Sequence, residues 1–388
     1  MKKILLTSAA FLALTSPAAA EDVEFKISGF LKWFATYANQ NDNVYDATTG
    51  TPDAFNPPAA RLVGYDKTSL QTNGEIDFSG TYHINENTTL SFVMQLDMYR
   101  DKVDVDLSYL KLDCIAGRFI VGNSKNVSAM MGVHVPDVST FALEDTDFVK
   151  MVRVPFGFAM NHAAYDILDD DTAKASYISP EIGDFSFGVS VMPSGSGMTP
   201  RNAYYSETTR FERGANAAVL YNHDFGKVEL SVSADYAYTK PTFKGTPYAA
   251  IPVKEKDVHQ YGGGIKARFG GFEIGVAAHA VNTSDEVGRH FRLTGVYATK
   301  GVTWALGASY KIGPFKTSAS VLQSRADSLT TAGKKDVYTL SVASVVYTVM
   351  KGVDVFADAG YIDFKAAAAD RDLSNSSPVF LTGAAVRF

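Results

Sequence analysis

Seven His residues, at positions 83, 134, 162, 223, 259, 279 and 290, would be the usual start of metal or acid–base chemistry, yet no two stand closer than eleven residues. Zinc sites and metalloprotease helices need ligands a few residues apart, so neither is written here. The chain has 1 Cys, Cys114, which excludes an internal disulfide. It contains no Gly-x-Ser-x-Gly elbow and no Walker loop. Gly262, Gly263 and Gly264 fall inside a strand pattern, where a bulge or a close backbone approach is expected rather than a phosphate cradle. No cofactor is expected. Asp169, Asp170 and Asp171 have two readings, a site for a hard divalent cation or a solvated acidic run.

What remains is charge, and its value depends on the elements that hold it. Lys plus Arg is 36 and Asp plus Glu is 42, a net charge of -6. That balance argues against a nucleic-acid partner, which needs a basic footprint. Residues 1–20 read as a secretory signal peptide: Lys2 and Lys3, an apolar stretch from Ile4 to Leu14, then Ala18, Ala19 and Ala20 before the cleavage point. The remaining 21–388 would form one domain carrying 34 basic and 42 acidic residues, a net charge of -8.

Past residue 20 the dominant period is two. Phe25, Ile27, Leu31, Trp33 and Tyr37 share one face, against Lys26, Ser28, Lys32 and Thr36 on the other. The same alternation runs through 67–83, 88–99 and 226–239. Such segments are strands with one apolar face. They are longer than the five or six residues usual in globular sheets and match the roughly 9 to 11 needed to cross a bilayer at a tilt. No run of about 18 to 20 apolar residues is present, so helical spans are excluded. A mean hydropathy of -0.05 is compatible with a barrel that hides its apolar stripe by alternation.

Connections alternate between short turns, near 85–87, 115–116, 181–184, 225–226, 270–271, 313–314 and 350–352, and long polar loops. Transmembrane barrels sort their connections by end in this way. Strand starts are predicted near 24, 67, 88, 103, 117, 173, 184, 215, 227, 258, 272, 301, 315, 335, 353 and 378, giving an all-β antiparallel barrel of about sixteen strands. Residues 289–299 are read as loop. Phe225, Phe269, Phe272, Phe315 and Phe388 flank the short-turn end, while Trp33 and Trp304 fall toward the other rim, as two aromatic girdles would.

Three stretches are similar to the general porins of Gram-negative outer membranes, the alphaproteobacterial type most of all. Gly117-Arg118-Phe119-Ile120-Val121-Gly122-Asn123 resembles the fifth strand that leads into the family's inward-folded third loop. Lys174-Ala175-Ser176-Tyr177-Ile178-Ser179-Pro180, with the strand from Gly183 to Ser190, resembles the turn and strand after it. Val386-Arg387-Phe388 resembles the aromatic carboxy terminus that the barrel assembly machinery reads. The resemblance implies a homotrimer among outer-membrane lipids, each barrel passing small hydrophilic solutes and ions by passive diffusion. The other classes to separate from it are an adhesin or receptor and a lipid-active barrel enzyme.

The connection 123–172 is the candidate constriction loop. It carries Val133, Val135, Val152, Val154 and Phe158 among other apolar residues, too many to leave in water. It also carries Glu144, Asp145 and Asp147, then Asp166 and Asp169 to Asp171. The first acidic cluster is either a solvated loop face or one side of a constriction that selects permeants by sign. Strand parity points Lys26, Lys32, Lys67, Arg118, Lys174, Lys266 and Arg268 inward, as a candidate basic pore wall. On the lipid face each would cost about 2 to 4 kcal/mol at the midplane.

Overall fold

The computed structural model describes residues 23–40, 66–99, 102–139, 143, 151–155, 157–161, 163–164, 172–193, 211–241, 256–285, 287–288, 298–367 and 374–388. The acidic positions Glu144, Asp145, Asp147, Asp166 and Asp169 to Asp171 lie outside these residues, as does the segment 1–20. Sixteen strands are formed. They are β1 (Val23–Ala38), β2 (Thr68–Asn85), β3 (Thr88–Tyr99), β4 (Lys102–Cys114), β5 (Gly117–Ser124), β6 (Thr172–Ile178), β7 (Phe185–Met192) and β8 (Phe211–Asp224). There follow β9 (Glu229–Pro241), β10 (Val258–Phe269), β11 (Phe272–Asn282), β12 (Gly301–Ile312), β13 (Phe315–Asp327), β14 (Lys335–Met350), β15 (Val353–Lys365) and β16 (Asn375–Arg387). A short helix, α1 (Val127–Met131), follows β5.

Every strand pairs antiparallel with its sequence neighbours, and β1 pairs with β16, so the sheet closes on itself. No edge is left to present unpaired backbone to hydrocarbon. The seam is tied at the end of the chain, where Gly29 N donates to Phe388 O at 3.1 Å and Phe388 N to Gly29 O at 3.2 Å. All sixteen starts read from the sequence fall within four residues of those observed. The largest differences are β8, which begins at Phe211 rather than 215, and β16, which begins at Asn375 rather than 378. There the ladder continues above the alternating pattern, because it needs only backbone N–H and C=O groups. Two-residue hairpins close β10 to β11 and β12 to β13; Gly270 and Gly313, at φ 58 and 53, supply the positive φ such turns require.

The two faces differ as a membrane demands. On β7, Phe185, Phe187, Val189 and Val191 point outward and are 45 to 55% exposed, while Ser190 and Met192 between them are buried inside. Rows of half-exposed apolar side chains on most of the strands are stable only against lipid. Residues 289–297 lie outside the described set, and β11 pairs directly with β12.

The interior is not uniformly wet. Tyr338, Leu340, Val342 and Val346 of β14, Phe356, Ile362 and Phe364 of β15, Val379 and Leu381 of β16, and Phe34 of β1 point inward and are buried. They pack against Val135, Leu143, Val152, Val154, Phe158 and Met160 of the connection between β5 and β6. These described residues of the connection therefore lie within the barrel and form a core with one side of the wall.

Candidate functional site

The connection is pinned to the wall by hydrogen bonds from inward-facing side chains on strand after strand. Ser190 of β7 accepts from Val127 N at 3.1 Å, and Ser233 of β9 accepts from Val133 N at 2.8 Å. On β13, Ser318 accepts from Val138 N at 3.0 Å and Ser320 donates to Pro136 O at 3.0 Å. Asp137 knits the segment to itself, accepting from Leu143 N at 2.7 Å and Ser139 N at 3.0 Å. Farther along, Arg153 N donates to Gln40 Oε1 at 2.7 Å and Ala159 N to Asp336 Oδ2 at 2.9 Å. Asn161 receives Thr299 N at 2.9 Å and donates to Thr299 O at 3.0 Å. Small inward Ser residues suit this task, since they let a second backbone approach while offering it a partner.

Close approach also explains two glycines. A Cβ on Gly307 would stand 2.6 Å from Pro136 O, and one on Gly264 would collide with Val133 O. Gly264 is thus the backbone approach expected of the triple-glycine stretch, and the atom approaching it belongs to the loop. Gly264→Ala forces backbone against backbone and is expected to cost about 1 to 3 kcal/mol. The check is the temperature at which the folded form loses its fast gel mobility, compared with wild type.

With α1 against β6 to β9 and the later segments against β1 and β11 to β16, the inner faces of β2 to β4 keep mostly polar, water-accessible side chains. Here the register produces a grouping that no single strand shows. Glu75 of β2 is directly opposite Asp97 of β3, and Asp97 is directly opposite Asp104 of β4. Asp77 faces the same way one inward position below Glu75, because inward positions repeat every two residues. Three carboxylates side by side at a strand spacing of about 4.8 Å repel one another. A wet lumen that supplies counterions is where such a row can persist.

The seven basic residues are inward by register but do not converge on one patch. Lys26 lies diagonally beside Asp77, through the pairing of Ser28 with Asp77. Lys32 reaches over the Phe30 ring at 4.7 Å. Lys67 stands immediately before β2 at the long-loop end, its carbonyl taken by Ala38 N at 2.9 Å. Arg118 opens β5 at the short-turn mouth and is paired with Asp113 at 2.6 Å. Arg268, near the last residue of β10, is held between Glu273 at 2.6 Å and Glu229 at 3.0 Å, with Lys266 one inward position deeper. Lys174 is only 3% exposed; its Nζ donates to Ser124 O and to Thr172 O, fastening the two ends of the connection. Arg118, Lys174 and Arg268 are therefore engaged locally, and the wall across the open side is acidic instead.

No catalytic grouping emerges among the described residues. His279 is 3% exposed on the inner face of β11, and neither ring nitrogen has a hydrogen-bond partner. A base in a triad would be oriented by one partner and bonded to another. No group of three metal-ligating side chains is assembled among the described residues.

A closed sixteen-strand sheet with lipid-compatible residues outside and charged residues lining a partly filled interior defines a transmembrane β-barrel channel. The model of the Gram-negative porin family matches residues 7–367, so the chain belongs to that family and is a multi-pass barrel of the outer membrane. Solved structures share the fold at low identity. OmpF of Salmonella typhi, in complex with daunomycin, is 14% identical at a TM-score of 0.61, covering 95% of this chain and 99% of that one. An anion-selective porin from Comamonas acidovorans is 13% identical at 0.58, covering 94% and 100%. OmpT of Vibrio cholerae, in a trimer form, is 14% identical at 0.56, covering 94% and 99%. No curated protein matches the sequence.

Proposed function

We propose that the protein is a passive diffusion porin, working as a homotrimer, that admits small hydrophilic solutes with a preference for cations and performs no chemical step. The observation that carries this reading is the division of the interior. One side of the lumen is closed by a loop packed as a core, and the other is lined by the row Glu75, Asp97 and Asp104. Charges lining a restricted pore select by sign. Glu144, Asp145 and Asp147 supply a second acidic element on the loop in this reading, and Lys26 and Lys32 supply the local counter-charge. The trimer rests on the trimeric form of a protein with the same fold.

Purified, folded protein added to a planar bilayer is expected to give ohmic current steps that arrive in threes. Single steps would retain the channel and remove the trimer. A silent bilayer would overturn the proposal in favour of an adhesin, a receptor or an enzyme.

A further inference from the structure

Where β14 and β15 part at the long-loop end, which faces the exterior, one buried side chain takes over from the backbone ladder. The outermost pair of these strands is Val337 with Lys365. One step beyond it Asp336 turns inward and is 1% exposed, while the chain leaves β15 as Ala366 and Ala367. Asp336 Oδ1 accepts from Ala367 N at 2.8 Å, and Oδ2 accepts from Ala159 N at 2.9 Å. One oxygen thus holds the connection between β15 and β16, and the other holds the loop inside the barrel. The Ser328 side chain, at the head of the connection between β13 and β14, bonds the same carboxylate.

The two donors stand in different surroundings. Ala159 is fully buried, its side chain packed on Ala326 and Leu329. A buried N–H deprived of its acceptor keeps the full cost of having left water. Ala367 is half-buried at the base of a surface connection, next to Ala366, whose N donates to Ser374 Oγ at 3.0 Å across that base. Asp336 therefore joins a segment that meets the exterior to one that does not.

The chemistry of the joint is specific. Two N–H donors that approach one side chain from two sides need two acceptor oxygens, which a carboxylate offers. The isosteric amide offers one oxygen and sets an NH2 group against the other donor.

We infer that Asp336 is a positioning residue of the channel, through which the connection between β15 and β16 sets how firmly the loop inside is held. A load placed on that connection from outside then alters the passage that the loop leaves for solutes. The inference rests on the channel reading but not on its preference for cations. The coupling is reciprocal, as any coupling between two equilibria must be.

The test uses the full-length, folded protein, with cleavage by added protease within 132–164 as the measure of loop release and current noise in planar bilayers beside it. Asp336→Asn is expected to speed cleavage about tenfold to a hundredfold, because one N–H loses its acceptor. Ala367→Pro removes the N–H on the outer side and should speed cleavage about threefold, although the change lies on the surface connection. Asp336→Asn combined with Ala367→Pro should fall back to within about threefold of wild type: the amide oxygen keeps Ala159 N, and its NH2 no longer faces a donor. Independent structural losses would multiply instead, so a double variant worse than Asp336→Asn would overturn the inference. So would wild-type cleavage and noise in Asp336→Asn, or in Ala367→Pro shown by fast gel mobility to be folded. A second measurement needs no proline. Hydrogen exchange at the Ala367 amide should quicken about threefold in Phe158→Ala, which frees the loop from its other side, and unchanged exchange there would overturn the coupling. A silent bilayer in wild type would remove the channel reading, while cleavage and exchange would still decide the role of Asp336.

Discussion

Replacing Glu75, Asp97 and Asp104 together with Gln, Asn and Asn is expected to reduce the cation-over-anion permeability ratio by about a factor of ten. A permeant ion about 7 Å from each carboxylate feels about 0.6 kcal/mol per charge in water, and about 0.25 kcal/mol after screening at physiological salt. Three charges favour a cation by about 0.7 kcal/mol and oppose an anion by as much, so the ratio moves by about 1.5 kcal/mol. The readout is the reversal potential in a salt gradient. The same variant should be slightly more stable than wild type, because it removes like charges placed directly opposite one another on β2, β3 and β4. Lost selectivity with gained stability is the mark of a wall kept for function. Neutralising Glu144, Asp145 and Asp147 is expected to lower the ratio as well, and comparing the two triple variants apportions selectivity between wall and loop. A reversal potential unmoved by the wall variant would remove the acidic row from the mechanism.

The barrel was legible because each strand announces itself: fifteen residues such as 24–38 carry enough alternation to fix the outward face without knowledge of any neighbour. The acidic row was not legible in the same way. Glu75, Asp97 and Asp104 stand far apart in sequence and become neighbours only through pairing between strands, which irregularities at His83 to Asn85 and Met94 to Leu96 shift by a residue. Parity could say that each points inward; it could not say that they align. The loop offers the converse case. Its apolar residues showed that it must pack, but not on what. The signal that could have told lies in β14, where Tyr338, Leu340, Val342 and Val346 are apolar on the inner face while Val345 and Tyr347 are apolar on the outer. A strand apolar on both faces is covered on both. Lys174 was read as a wall charge for want of one fact, the closeness of Ser124 O, which only the folded ends of the loop provide.

Phe158→Ala is expected to release the loop from the wall while leaving the barrel closed. Phe158 is 1% exposed and meets Phe364 of β15 edge to face at 5.4 Å; Phe364 in turn stacks on Tyr338 of β14 at 5.2 Å. Truncating a buried Phe costs about 3 to 5 kcal/mol. The sixteen-strand ladder does not run through this ring, so the loss falls on loop docking, beside the bonds from Ala159 N to Asp336 and from Asn161 N to Ser324. Local opening of a segment needs only the free energy of its own contacts. The expected results are a noisier open channel with excursions to higher conductance, and cleavage by added protease within 132–164 while the strands stay protected. Phe158→Leu keeps most of the volume, costs about 1 kcal/mol and should restore quiet conductance. Wild-type noise and full protease resistance in Phe158→Ala would show that the backbone bonds to the wall hold the loop without the ring, and would move the weight of closure onto Ser233, Ser318 and Asn161.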